Sequence, residues 1–262
     1  MNPALRTAAT GMLAQQTRTE VIANNLANVN TTAFKRSRAH FVDLLYQTLQ
    51  GTTTIAGTDS ETLPAVQVGR GTRLAGVFRM QGNGPIEATQ RSLDIAIEGD
   101  GFLQVQMENG LTGYTRDGAL QISDQGVLVN SLGHTIVPGI RVPDDANNIS
   151  ISRNGIVTVT RPGDARPQEI GRFELARFAN PSGLESLGEN LYVTTPASGE
   201  PIVGFAGEDG IGRLLQGHLE GSNVEIVQEM VDMIAAMRAY EINAKVIRNV
   251  EQMSDVQAGL GR

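Results

Sequence analysis

Ser222-Asn223-Val224-Glu225-Ile226-Val227-Gln228-Glu229-Met230-Val231-Asp232-Met233-Ile234-Ala235-Ala236-Met237-Arg238-Ala239-Tyr240-Glu241-Ile242-Asn243-Ala244-Lys245-Val246-Ile247 sets the architecture of this chain. Ile226, Met230, Met233, Met237, Tyr240, Ala244 and Ile247 recur in a four-three alternation. That spacing lines their side chains along one stripe of an α-helix. Val227, Val231 and Ile234 widen the stripe on its flank. Ser222-Asn223 can cap the helix, and Glu225 puts a carboxylate in the first turn, where the helix dipole favours it. The pattern weakens after Glu251, which leaves a helix of about 30 residues, marginal in water without a partner for its apolar side.

The other end of the chain repeats the device. Leu5, Ala8, Met12, Ile22, Leu26 and Val29 fall on one helical stripe, interrupted by the polar Gln15 and Thr19. From Pro3 to Val29 such a helix runs roughly 40 Å at about 1.5 Å per residue. It meets Asn30-Thr31-Thr32, residues that compete for backbone hydrogen bonds and favour termini. The heptad spacing predicts that each helix finds a helical partner, the other being the candidate, so that the two pair as a coiled coil. A helical hairpin packed on the chain's own core is the alternative use of such stripes.

Between the helices the chain reads as short strands. Leu93–Ile97 alternates and breaks at Gly99-Asp100-Gly101; Phe102–Gln106 alternates and ends at Asn109-Gly110. Further turns stand at Asp117-Gly118, Gln125-Gly126 and Asn154-Gly155. Asn-Gly and Asp-Gly between alternating runs are hairpin signals, because both central residues accept positive φ. Residues 149–152 and 156–159 flank Arg153-Asn154-Gly155 as a hairpin would. The fold class is therefore mixed α and β: long terminal helices around a central all-β domain, expected as a compact barrel or sandwich. The organisation predicted is an N-terminal helix over 1–32, an extended linker over 33–75, a β domain over 76–220 and a C-terminal helix over 221–262. The linker contains Leu44-Leu45-Tyr46-Gln47 and then Gly51-Thr52-Thr53-Thr54, too polar for a core of its own but able to order against neighbours in an assembly.

Composition narrows the function classes. The chain has 262 residues, 30 Gly, 10 Pro, no Cys and no Trp. Without cysteine there are no disulfides, thiolate metal sites or Cys nucleophile. His40, His134 and His218 lie far apart with no local metal-ligand spacing, so no metal site is expected. A net charge of −7 disfavours nucleic acid and anionic membrane surfaces as partners. No apolar run is long enough for membrane insertion, and no continuous apolar h-region follows the N-terminus, so a cleaved secretory signal is not expected. Gly69-Arg70-Gly71 and Gly210-Ile211-Gly212 lack the third glycine of a dinucleotide fingerprint, and no Walker A or Gly-x-Ser-x-Gly sequence occurs. Asp144-Asp145 and Glu208-Asp209 read as solvated turn carboxylates more readily than as an acid–base or cation site. Neither catalytic residues nor a cofactor is indicated.

At both ends the residues match a known pattern. Ala23-Asn24-Asn25-Leu26-Ala27-Asn28-Val29-Asn30-Thr31, followed by Phe34-Lys35-Arg36, resembles the N-terminal signature of the bacterial flagellar axial proteins of the rod and hook. Leu219-Glu220-Gly221-Ser222-Asn223-Val224, with Met230-Val231, Arg238-Ala239-Tyr240-Glu241 and Lys245, resembles their C-terminal signature. Asp94–Phe102 and Tyr114-Thr115-Arg116-Asp117-Gly118 resemble the central β domain of the larger members. Within the family, Asp43–Thr48, the insertion through Leu63-Pro64, and Gly188-Glu189-Asn190-Leu191-Tyr192 are similar to the distal-rod branch, while residues 50–62 and the tail after Met253 match it loosely. A proximal-rod relative of similar length is the alternative, and a β-domain enzyme or carbohydrate-binding module with helical oligomerisation ends is the alternative from another class.

The resemblance implies a structural subunit, not an enzyme, that polymerises into a rigid hollow drive shaft passing torque from motor to hook. Its terminal helices would order on polymerisation as an inner tube, with the β domain outward. The implied partners are further copies of the chain, neighbouring rod and hook proteins, the outer-ring bushing and the flagellar type III export apparatus. The implied location is the basal body, from periplasm to outer membrane. Segment 46–64 is implied to brace neighbouring subunits. The residues expected at subunit interfaces are Leu5, Met12, Ile22, Leu26, Val29, Leu44, Leu45, Tyr46, Ile226, Met230, Met233, Met237, Tyr240 and Ile247.

Overall fold

A computed structural model of the protein describes residues 3–50, 53–55, 61–63, 65–107, 110–146, 148–162 and 166–260. The chain divides into two compact units: Met1–Ala27, Ser37–Arg79 and Glu225–Arg262 form the first, Asn28–Arg36 and Met80–Val224 the second.

The first unit contains both long helices, α1 (Pro3–Ala27) and α2 (Ile226–Leu260). Pro3 opens α1, a position where its missing N–H costs nothing and its fixed φ suits the helix. Glu225 immediately precedes α2, and its carbonyl accepts from Glu229 N at 3.0 Å. The expected Ser222-Asn223 cap is not formed: the Ser222 hydroxyl accepts from Val224 N, and Asn223 is engaged with Arg36, Met80 and Gly82.

The rest of this unit is strand. β1 (Ser37–Asp43), β2 (Gln47–Gln50), β3 (Thr53–Ile55), β4 (Glu61–Leu63), β5 (Val66–Val68) and β6 (Thr72–Arg79) pair as β1–β6, β2–β5 and β3–β4, all antiparallel. Nested in this order, the pairs make a hairpin over Ser37–Arg79 that takes in most of the 33–75 segment read from sequence as an extended linker. The Thr residues behind that reading are good strand formers once a partner strand satisfies the backbone. Register shifts at His40/Phe41 and Thr48/Gln50 interrupt the ladder, and bulges of this kind increase local twist.

The second unit holds the central strands: β7 (Ile86–Ala88), β8 (Ile95–Glu98), β9 (Phe102–Gln106), β10 (Thr112–Thr115), β11 (Gln121–Ile122), β12 (Leu128–Val129), β13 (Thr135–Ile136), β14 (Asn148–Ile151), β15 (Ile156–Thr160), β16 (Gln168–Arg172), β17 (Glu174–Arg177), β18 (Glu185–Gly188), β19 (Leu191–Val193), β20 (Ile202–Phe205), β21 (Arg213–Gln216) and β22 (His218–Glu220). A nine-stranded sheet runs β11-β12-β13-β9-β10-β19-β18, with β17 joining β9 to β20. Its path ends at β11 and β18, which do not pair among the described residues, so of the expected barrel or sandwich the closed barrel is not formed. β14-β15-β16 make a separate three-stranded sheet, and β8–β21 and β7–β22 are paired on their own. Asn109 of the expected Asn109-Gly110 turn lies outside the described residues.

Alternation along β9 decides where the core sits. Leu103 and Val105 point into the main core with Ile95, Ile97, Leu128, Ile136 and Phe173, to which the three-stranded sheet adds Ile151, Val157 and Val159. Phe102 points to the other face and joins Tyr114, Phe178, Leu184 and Tyr192 in a smaller cluster. Its rings meet edge to face, Tyr114 and Phe178 at 4.9 Å between centroids. The hairpin expected at Arg153-Asn154-Gly155 is present: Ser152 N bonds Ile156 O at 2.9 Å and Gly155 takes φ +81°. Gly118 serves a different purpose from a turn. A Cβ there would lie 1.7 Å from the Ile95 carbonyl oxygen, so only glycine admits the two backbones at this distance.

Candidate assembly interface

Within the first unit the two helices pack on each other, and three pairs fix how. Gly11 lies under Asn243, with a Cβ at position 11 falling 2.9 Å from the Asn243 amide nitrogen. Arg18 pairs with Asp232 at 2.9 Å. Asn25 donates to Glu229 Oε2 at 3.2 Å. As the α1 number rises the α2 number falls, so the helices run antiparallel. The buried residues along the contact are small or polar as often as they are large: Ala8, Ala14, Ile22 and Asn25 on α1, Glu229, Ala236 and Val250 on α2. Asn25 also donates to Ser37 O and accepts from Ser37 N, tying the end of α1 to β1.

The methionine stripe therefore does not form this seam. Ile226, Met230, Met237 and Tyr240 are 46%, 51%, 53% and 44% exposed, as are Val227, Val231 and Ile234 on the flank to 72%, 55% and 52%. Met233 and Ile247 are half-buried at its border. On α1, Ile22 is buried, while Leu5, Met12 and Leu26 are half-buried. In the second unit, Val29 is half-buried as well. The apolar period was legible; which face of the helix the chain covers by itself was not, because small side chains at 236 and 11 allow closer approach than a methionine face would.

In the hairpin, Leu44 is half-buried and its N–H bonds Gly71 O at 2.8 Å. Leu45 and Tyr46 are exposed, and with them Leu49, Val66 and Val68 along the β2–β5 pair. Part of the expected bracing segment 46–64 lies outside the described residues.

The second unit contains a cluster of buried charges that sequence reading passed over. Lys35 Nζ donates to Glu220 Oε1 at 2.5 Å and to Gly82 O at 2.8 Å. Arg116 Nε donates to Glu220 Oε2 at 2.7 Å, and its terminal nitrogens bond Asn83 Oδ1 and the carbonyls of Ile97, Gly99 and Gly101. Gly84 N adds a further bond to Glu220 Oε1 at 2.9 Å. Burial, then the nearby Arg116, pulls the Lys35 ammonium below its ordinary 10.5, with Glu220 opposing. Burial pushes the Glu220 carboxyl up, but Arg116 and Lys35 outweigh it and hold it below its ordinary 4.5.

Asn223 completes the connection. Its side-chain oxygen accepts from Arg36 N at 2.7 Å, and its amide donates to Met80 O and Gly82 O. Ala33 N bonds Glu220 O at 2.8 Å. The incoming stretch 28–36 and the outgoing stretch 219–224 are thus fastened to each other and, through Arg116, to the β core. Lys35, Arg116 and Glu220 each stand in a quoted motif, yet single charges 185 residues apart show no period that would pair them.

Nothing among the described residues assembles a reaction centre. Asp145 is paired with Arg161 and Glu208 with Arg172, and no group of three potential metal ligands occurs among the described residues. A cleft of about 450 Å³ beside β22 has two ionisable lining residues, Glu87 and Glu220, and Glu220 is committed to the cluster.

Three family descriptions match the chain. "Flagella basal body rod protein" matches residues 5–35, "Flagellar hook protein FlgE/F/G D1 domain" residues 96–159 and "Flagellar basal body rod FlgEFG protein C-terminal" residues 215–260. The chain is 45% identical over 251 residues to the flagellar basal-body rod protein FlgG of Caulobacter vibrioides, covering 95% of this chain and 96% of that one. It is 46% identical over 264 residues to FlgG of Borreliella burgdorferi, covering all of both. To the flagellar hook-basal body complex protein FlhP of Bacillus subtilis it is 31% identical over 263 residues, with 94% and 95% covered.

Proposed function

The chain belongs to the flagellar basal-body rod family, and on that footing we propose that it polymerises with copies of itself into the distal rod, the rigid hollow shaft between motor and hook. It is a structural subunit of the basal body, not an enzyme. The observation that carries the reading is the stripe Ile226, Met230, Met237 and Tyr240, left open on α2 after the helices have paired with each other. A soluble chain seldom leaves a continuous apolar row on a long helix uncovered, and a second copy of the same chain is the cover that a helical polymer supplies. Covering a methionine that is half exposed is worth about 1 kcal/mol, so the row as a whole supplies several kcal/mol per contact.

The finer readings are part of the same proposal. The α1–α2 pair acts as the coiled-coil wall of an inner tube. The central unit acts as a sandwich-like outer body. Leu44, Leu45 and Tyr46, at the start of the bracing segment 46–64, touch neighbouring subunits, and Leu5, Met12, Leu26 and Val29 contribute to the same contacts. Neighbouring rod and hook proteins cap the polymer, the outer rings surround it, and the subunits reach it through the flagellar type III export apparatus; a chain free of cysteine forms no crosslinks on such a route.

Met230→Asp combined with Met237→Asp tests the reading. Both side chains are exposed, so the purified variant should keep its helical circular dichroism while cells carrying it build no complete rod and do not swim. Normal swimming with intact basal bodies would sink it.

A further inference from the structure

The face most suited to bind α1 is the methionine stripe of α2, and yet α1 sits against a neighbouring seam. Burying apolar surface is favourable in proportion to its area, so turning α2 about its axis to bring Met230 and Met237 against α1 is the obvious competing arrangement. What opposes it is polar. Positions 11, 18 and 25 of α1 are spaced by seven, so they drift only about 20° around the helix per step. Each meets a particular group on α2: Asn243 over Gly11, Asp232 against Arg18, Glu229 against the Asn25 amide. Asn25 is 1% exposed and Glu229 5%. Any rotation or slip would take Glu229 away from the Asn25 amide, which Ser37 holds in place from the other side, whereas an apolar row tolerates sliding.

We propose that the pairs Asn25–Glu229 and Arg18–Asp232, with Asn243 seated over Gly11, select the face and register of the α1–α2 pairing, and so keep the methionine stripe free for a second copy of the chain. The second half of this statement rests on the assembly reading above; the first half does not. The Arg18–Asp232 rung adds little to stability, since that pair is partly solvated. The ladder's effect is on specificity, as a polar residue in an otherwise apolar helical seam fixes register.

The absence of native cysteine makes the test direct. Single reporters, Ala236→Cys and Met230→Cys, are placed in the full-length chain and labelled with a maleimide, with helicity followed by circular dichroism. In the native background Met230→Cys should react about tenfold faster than Ala236→Cys. Adding Asn25→Asp, which sets a carboxylate against Glu229, should shrink or reverse that ratio with helicity kept, and Glu229→Gln in addition should restore it by returning a donor to the pair. A second background, Asn25→Leu with Glu229→Leu, substitutes an apolar rung that supports helix association and should also collapse the ratio. An unchanged ratio in both backgrounds overturns the proposal. So does loss of helicity in both, because the rungs would then hold the helices together instead of choosing their faces. Normal motility alongside the expected labelling changes would leave the ladder standing and count against the methionine stripe as the assembly face.

Discussion

Replacing Glu220 by Gln changes no volume and tests the charge cluster of the central unit. One carboxylate there faces two cations: Lys35 and Gly84 N share Oε1, while Arg116 Nε takes Oε2. The cluster already carries one more positive than negative charge, all of it buried. An amide has one acceptor oxygen and one donor nitrogen, so in either orientation the introduced side chain sets a donor against a donor: its NH2 meets Arg116, or it meets both Lys35 and Gly84. Breaking a buried pair in this way costs about 3–5 kcal/mol, mostly because the remaining charges stay buried without compensation. Apolar replacement of the whole cluster would cost far less, since removing the cations removes their desolvation too. For a unit of this size about 4 kcal/mol lowers the melting temperature by roughly 10 °C. Calorimetry of the full-length protein, wild type against Glu220→Gln, reads this shift in the transition that also carries the near-ultraviolet signal of Tyr114 and Tyr192. Lys35→Met added to Glu220→Gln removes one of the stranded cations and should recover about half the loss. A shift of less than about 2 °C, or no recovery in the double variant, would refute the view that these charges fasten the connectors to the core.

Other outcomes follow from the same geometry. Glu220 lies below its ordinary 4.5 in the folded chain, so its contribution is present above that value and fades as pH falls through the folded value; urea midpoints across the acid range should therefore drop for wild type and stay flatter for Glu220→Gln. Lys35 lies below its ordinary 10.5, so between its folded value and 10.5 the unfolded chain holds more protons and stability tied to this group rises with pH; in Glu220→Gln the deficit should narrow toward alkaline pH. Gly118→Ala places a Cβ 1.7 Å from a backbone oxygen and should cost more than about 3 kcal/mol, seen as loss of the cooperative melt of the central unit. Phe178→Ala opens the aromatic cluster against Phe102 and Tyr114 and should cost about 3–5 kcal/mol by urea titration, with the helical signal unchanged.

Two kinds of information separate in this protein. The long helices and the short central strands are legible in the residues alone, because repeat periods of 3.6 and 2 and the Asn-Gly turn at 154–155 are local properties that each segment carries by itself. The methionine stripe is legible in the same way, since apolar side chains at helical spacing need no partner to be read. Which face of α2 lies against α1 is settled instead by packing. That choice rests on Gly11, Ala236, Asn25 and Glu229, residues too small or too polar to register in an apolar pattern, and it turns on distances of closest approach between segments some two hundred residues apart. Packing settles as well that the Thr-rich chain between Ser37 and Arg79 folds back into nested strand pairs, because strand pairing depends on the partner's hydrogen bonds more than on a residue's own preference. And it brings Lys35, Arg116 and Glu220 into one dry site. A single charge has no period, and its value inverts with burial: exposed it stabilises almost nothing, enclosed with its counterions it holds two distant stretches of chain together, and the folded core alone determines which of these it is.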